Sequence, residues 1–263
     1  MRYIRIYKVF ILQYLKTLME YRTDFFIGML SFFILQASNL IFISLVFSRI
    51  PHLNGWSYNQ VLFIYGLSQI PRGLDHLFTD NLWLLANSYV RSGQFDKYLL
   101  RPINPLFHLI AERFQPDAFG EIIIGVSIFT YAYTKLGLAF NLLDWLLLLV
   151  VILAGIMIYT SIKLIGGSLA LWTKRSQHFL FIVYQLADFS SYPMSIFSQF
   201  IKMVLTFVIP FAFVAFIPAS FFLGMPAIEH TVITCCLVAC ILWFIAYQIV
   251  WKSGLKAYES TGN

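Results

Sequence analysis

From Phe25 to Phe47 the chain carries no charged side chain. A bilayer core of about 30 Å needs roughly twenty helical residues to cross it, so this run is a membrane span by length alone. Inside lipid every backbone N–H and C=O must find its partner within the chain, which leaves helices and closed barrels as the only spanning structures. Unbroken apolar runs, without strand-like alternation, select helices. The rest of the composition agrees: 60% of residues are hydrophobic and 11% charged, against about 25% charged in soluble domains. The fold class expected is therefore all-α, a polytopic membrane protein forming a single transmembrane domain.

Ahead of the first span, residues 1–24 read as a helix lying in the membrane interface. Ile4, Tyr7 and Ile11 form one face and Arg5, Lys8 and Lys16 the other. Spans are expected at 25–47, 58–80, 118–136, 142–172, 177–193 and 230–251. With the N-terminus inside, Arg5, Lys8, Arg91, Lys97, Lys174, Arg175 and Lys252 fall on one side, while Arg49 and Lys135 fall on the other. The positive-inside rule then predicts six crossings of a cell (inner) membrane with both termini cytoplasmic. The excess of basic residues suits anionic lipid headgroups; scattered over several loops, it forms no nucleic-acid patch.

Residues 87–117 interrupt the apolar pattern with a polar cytoplasmic loop. A passive linker would be rich in Gly, Ser and Asn, but here Gly93 precedes a helix-length block with Phe95, Tyr98, Leu99 and Leu100, closed by Pro102 and Pro105. That block reads as a docking element, the alternative being an amphipathic loop resting on lipid. Span two contains Arg72 and Asp75, three residues apart on one helical face, and these are expected to pair. Lys163 is expected to reach headgroups with its long stem and is given no role.

Pro193, Pro210, Pro218 and Pro226 cut the long apolar stretch that begins at Phe179. Either one kinked helix crosses here, or a span ends near Tyr192 and 194–224 forms an outer helix, Met194 to Ile209, with short re-entrant pieces. No catalytic constellation stands out. The histidines are dispersed, Cys235, Cys236 and Cys240 have no zinc spacing, and Gly166-Gly167-Ser168 suits helix packing better than a nucleophile elbow. The chain lacks a GxxxxGK[ST] loop, so it is not expected to hydrolyse ATP by itself.

In their order along the chain these features resemble the permease subunits of type 2 ABC (ATP-binding cassette) exporters. RSGQFDKYLLRPINPLF is similar to that family's coupling-helix region, YPMSIFSQFIKMVLTFVIPFAFVAFIPASFFLG to its tyrosine-proline end of span five with outer re-entrant helices, and GLKAYESTGN to the tail of a branch with paired permeases beside one ATPase. The resemblance implies an exporter whose pore needs a second permease, identical or related. ATP and Mg would be held by a separate ABC ATPase subunit, and this chain would bind no cofactor or metal. It further implies that Phe95, Tyr98, Leu99 and Leu100 make the apolar contact with the ATPase, Asp96 and Arg101 the charged rim, and Pro102 and Pro105 the rigid exit. Tyr192, Pro193, Pro210 and Pro218 would form an outer gate. An aromatic wall suits hydrophobic or amphiphilic cargo. A secondary transporter or a non-transporting membrane scaffold remain the other readings.

Overall fold

A computed structural model describes residues 2–20, 22–225, 228 and 230–260; Pro226 lies outside them. The described residues are helical almost throughout, and their β pairing is an isolated bridge between Leu53 and Trp56. Helix α1 (Arg2–Glu20) is followed by α2 (Arg22–Arg49), α3 (Tyr58–Thr79) and the short α4 (Asn81–Leu84). Three helices among the described residues are long and apolar enough to cross a membrane: Phe26–Arg49, Leu142–Thr173 and Thr231–Ala257. A fourth candidate is a pair, Gln199–Val208 with Phe211–Phe222, bent by 77°.

The α2–α3 connection is a tight turn because Asn54 and Gly55 both take positive φ, 51° and 89°, the pairing that a two-residue hairpin of type I′ requires. Ser57 then starts α3, its backbone N–H donating to Gln60 Oε1 at 2.9 Å. Pro71 stays inside α3 and faces Gly155, where an added Cβ would lie 3.0 Å from its ring.

After the polar loop, which contains α5 (Asp96–Leu99) and α6 (Pro105–Ala111), come α7 (Ala118–Lys135), α8 (Leu142–Ser168), α9 (Ala170–Thr173) and α10 (Gln177–Ala187). The closest helix contact joins α3 to α7. A Cβ on Gly66 would stand 2.5 Å from the Phe129 backbone nitrogen, and one on Gly125 would stand 2.8 Å from Gln69 Cβ. Small residues let membrane helices approach to backbone contact, where dispersion and weak polar contacts replace the hydrophobic drive that lipid cannot supply. Gly166 and Gly167 serve the same purpose on α8, against Leu180 and the Leu82 carbonyl.

Beyond α10 the chain breaks up, as its prolines demand. A 3-10 turn at Asp188–Ser191 ends at Tyr192 in extended conformation, and Pro193 leads into another at Met194–Ile196. The outer helix expected over 194–209 is therefore shorter: α11 (Gln199–Met203) continues as a π-turn, Val204–Val208. Pro210 marks the sharp bend before α12 (Phe216–Phe222). α13 (Thr231–Phe244), a π-segment at Ile245–Trp251 and α14 (Lys252–Ala257) complete the order.

Buried apolar side chains form three clusters. One joins α3 to α7 and α12 around Phe63, Phe129 and Ala219. A second joins α8 to the broken segment and α13 around Tyr159, Phe211 and Cys235. The third fills the end of the molecule that carries α5, around Phe95, Tyr98 and Trp251.

Candidate functional site

The polar loop folds into a compact cap. Gly93 takes φ 72°, a left-handed turn that a Cβ would strain, and delivers the chain into the single turn of α5. Phe95 and Tyr98 point inward and are wholly buried. Phe95 meets Trp251 and Tyr258 edge-on, at ring separations of 6.0 and 5.0 Å. Leu99 and Leu100 point outward, 42% and 83% exposed. The expected apolar docking quartet is therefore corrected: one turn of helix cannot show four side chains to one partner, and Phe95 and Tyr98 belong to the chain's own core.

Hydrogen bonds hold α5 to its neighbours. The Tyr98 hydroxyl donates to Glu112 Oε2, and Lys97 Nζ sits 2.8 Å from Glu112 Oε1. Asn81 Nδ2 donates to the Leu109 carbonyl at 2.6 Å, and the Tyr89 hydroxyl donates to Asn81 Oδ1 at 2.9 Å. Burial and the Glu112 carboxylate push the Tyr98 hydroxyl well above its ordinary pKa. Burial alone would raise Glu112, yet the hydrogen bonds from Lys97 and Tyr98 outweigh it and hold the carboxyl below its usual range. Pro105 opens α6 at a position where no N–H is needed, and Asn104 caps that helix by accepting from the backbone N–H groups of Leu106 and Phe107.

The two expected rim charges also have partners at home. Asp96 accepts from the Tyr258 hydroxyl at 2.8 Å and the Ser260 hydroxyl at 2.6 Å, so the tail is tied to the first turn of α5. Those bonds hold the Asp96 carboxyl below its ordinary pKa. Arg101 NH1 lies 3.1 Å from His108 Nε2. Arginine only donates, so His108 accepts there as a neutral ring, in keeping with the burial that pushes its pKa down.

Directly beyond the cap, α3, α7, α8 and α10 bring charges together inside the apolar helices. Here the expected Arg72–Asp75 pair is corrected. Arg72 Nε lies 3.2 Å from Glu121 Oε1, and its NH1 lies 2.5 Å from Asp188 Oδ1. Asp75 instead meets Lys163, Nζ to Oδ2 at 2.8 Å, and accepts from Thr79 at 2.6 Å, Thr160 at 2.7 Å and Tyr184 at 3.3 Å. The physical reason is depth: Lys163 is buried and Arg72 largely covered, so a lone local partner would leave donors unsatisfied, and carboxylates from neighbouring elements complete them. Lys163 is 1% exposed and also reaches Asp80 at 3.4 Å, so it does not extend to headgroups. The signal was present in the sequence. A lysine on the same face as Tyr159 and Thr160, about five turns from Asp144, the helix's other charged residue, calls for a buried carboxylate from another helix.

His76 lies between Glu121, at 3.5 Å, and Asp80, at 3.8 Å. Toward the other end of α3, Gln36 of α2 accepts from the Tyr65 hydroxyl and donates to Gln69 Oε1 at 2.9 Å, while the Ser68 and Ser191 hydroxyls are 2.9 Å apart. Two polar cavities, of about 150 and 170 Å³, lie along this line and share Phe32, Arg72 and Glu121 as walls. Tyr192, one of the expected gate residues, lines the second of them and also an apolar cavity of about 320 Å³ beyond it. Pro193 follows it directly, whereas Pro210 and Pro218 lie in the bent pair, away from these cavities.

Residues 33–262 match the model of the ABC-2 family transporter protein family. No curated protein and no solved structure matches the chain.

Proposed function

Because the chain belongs to the ABC-2 family transporter proteins, whose members are the membrane permeases of type 2 ABC transport, we propose that it is one permease of an ATP-driven exporter and is worked by a separate ATPase docked on Leu99 and Leu100. The observation that carries this reading is the contrast within and around α5: Leu99 and Leu100 are exposed at the tip of the cap, while Phe95 and Tyr98 are buried and Tyr98 and Asn81 are hydrogen-bonded within it. Burying a leucine is worth about 1.5–3 kcal/mol, so an exposed pair is a substantial docking contact.

In this reading the six crossings are α2, α3, α7, α8, α10 and α13, with both termini and the cap in the cytoplasm and the bent pair at Pro210 re-entering from the outer face. A second permease completes the pore, and ATP with Mg stays in the ATPase. A push on Leu99 and Leu100 passes through Tyr98 and Asn81 to the end of α3, because the hydrogen bonds of the cap leave α5 no independent movement. α3 then carries Arg72, Asp75 and His76 past the partners supplied by α7, α8 and α10. Rearrangement of those ion pairs switches access between the two sides.

Leu99→Asp with Leu100→Asp tests the docking. The double variant should fold and reach the membrane but lose at least tenfold of the ATPase that co-purifies with the wild-type chain in mild detergent. Undiminished recovery of the ATPase would overturn the assignment.

A further inference from the structure

Three cavities follow one face of α2, and their chemistry changes along it. The innermost is walled by Arg72, Asp75, Asp80, Glu121 and Lys163 together with His76. The middle one keeps Phe32 and adds Asp188 and two further rings, Tyr65 and Tyr192. The outermost is apolar, with Phe42, Phe47, Phe189 and Phe197 among its walls. Consecutive cavities share wall residues, Phe32, Arg72 and Glu121 between the inner two and Tyr192 between the outer two, so they lie end to end as a track along α2. From Phe32 to Phe47 it extends about 22 Å at 1.5 Å per helical residue.

Charge along the track is unbalanced. Asp75, Asp80, Glu121 and Asp188 stand against Arg72 and Lys163, an excess of negative charge even with His76 protonated. Asp188 is the accessible member at 51% exposure, and it gives only Oδ1 to Arg72. A half-exposed carboxylate beside Phe32, Tyr65 and Tyr192 is the combination that recognises an organic cation, by ion pairing together with attraction to aromatic faces. An anionic head would meet the excess carboxylates, and a plain hydrocarbon would leave them unneutralised.

We propose that the track binds a cationic amphiphile, with its ammonium or guanidinium group at Asp188 and its apolar part in the outer cavity. This names the cargo class for the permease reading and rests on it for transport, although not for binding. The full-length chain in nanodiscs of zwitterionic lipid is titrated with tritiated dodecyltrimethylammonium below its micellar concentration, and with tritiated dodecanol as the uncharged match. Saturable binding of the cation, about tenfold tighter than that of the alcohol, is expected, a difference of about 1.4 kcal/mol. Asp188→Asn should abolish that preference, and Asn39→Asp, which adds a carboxylate to the middle cavity, should increase it. Equal affinity for the two probes overturns the proposal, and so does an unmoved preference in Asn39→Asp, which decides the matter if Asp188→Asn fails to fold. ATPase recovery separates the two readings: unselective binding with the ATPase retained removes the track alone, whereas selective binding without any ATPase removes the permease and leaves the track.

Discussion

The cap around α5 and the charged cleft above it both bury polar groups, yet they are built on opposite principles. In the cap, aromatic side chains fill the interior, and polar groups at its edge are bonded to fixed neighbours, as Asn81 is to the Leu109 carbonyl and Asn104 to the first turn of α6. In the cleft the charges themselves are the interior, and several have two partners at unequal distances: Lys163 has Asp75 and Asp80, and His76 has Glu121 and Asp80. A packed aromatic interior has one good arrangement and moves as a body. An ionic cluster with alternative partners offers more than one arrangement of similar energy, which a two-state device requires.

The sharpest break in this comparison comes from one substitution in each region. Lys163→Met leaves Asp75 buried without its cation and should destabilise the protein by about 3–5 kcal/mol; adding Asp75→Asn should recover much of that loss, because both charges are then gone. Phe95→Ala should cost a similar amount, about 3–5 kcal/mol, through the cavity it leaves, and no polar second substitution should rescue it. Thermal unfolding in detergent of the single and double variants checks both. If the double variant is no more stable than Lys163→Met, the cleft is not a reciprocal ion pair.

Gly125→Val probes the α3–α7 contact on the side of the cleft away from the cap. Its new side chain would collide with Gln69 at 2.8 Å, and overpacking of this kind costs about 1–3 kcal/mol. Gly28→Ala, whose Cβ would stand an ordinary 3.5 Å from Asp117, is the control expected to melt with the wild type.

The smallest effect concerns the tail on the cap. The Asp96 carboxyl is held below its ordinary pKa by Ser260 and Tyr258. The contact is therefore fully present above the usual carboxylate range and is lost as the pH falls through the depressed value. Protease sensitivity of the tail should rise over that acidic interval, and Asp96→Asn should flatten the pH dependence without a detectable shift in melting temperature.

The apolar runs made the helices legible, and α2 was readable almost to its ends because nothing but lipid needs to meet most of its surface. The prolines told where the chain breaks after α10 but not how far each piece extends, since the π-turn at Val204–Val208 and the 77° bend depend on tertiary contacts. That residues from Gly93 through Pro105 form a structured block and not a passive linker was legible in the sequence. Its division into inward Phe95 and Tyr98 and outward Leu99 and Leu100 was not, because all four are apolar and only the position of Trp251 and Tyr258, far along the chain, decides which pair is covered. Arg72 and Asp75 were conspicuous in sequence, but their true partners Glu121, Asp188 and Lys163 lie on three other helices, and no local spacing links them.

The contact between Gly66 and Phe129 limits the kinds of motion open to the cleft. With two helix backbones touching, neither can slide along the other by a residue, because the neighbouring side chains would be driven into a gap that admits none. Rotation about the point of touch meets no such obstacle. α3 and α7 are therefore arranged as scissor blades riveted at Gly66 and Gly125, so a force applied at the ends next to the cap would change the angle at their far ends and would not drive a piston stroke.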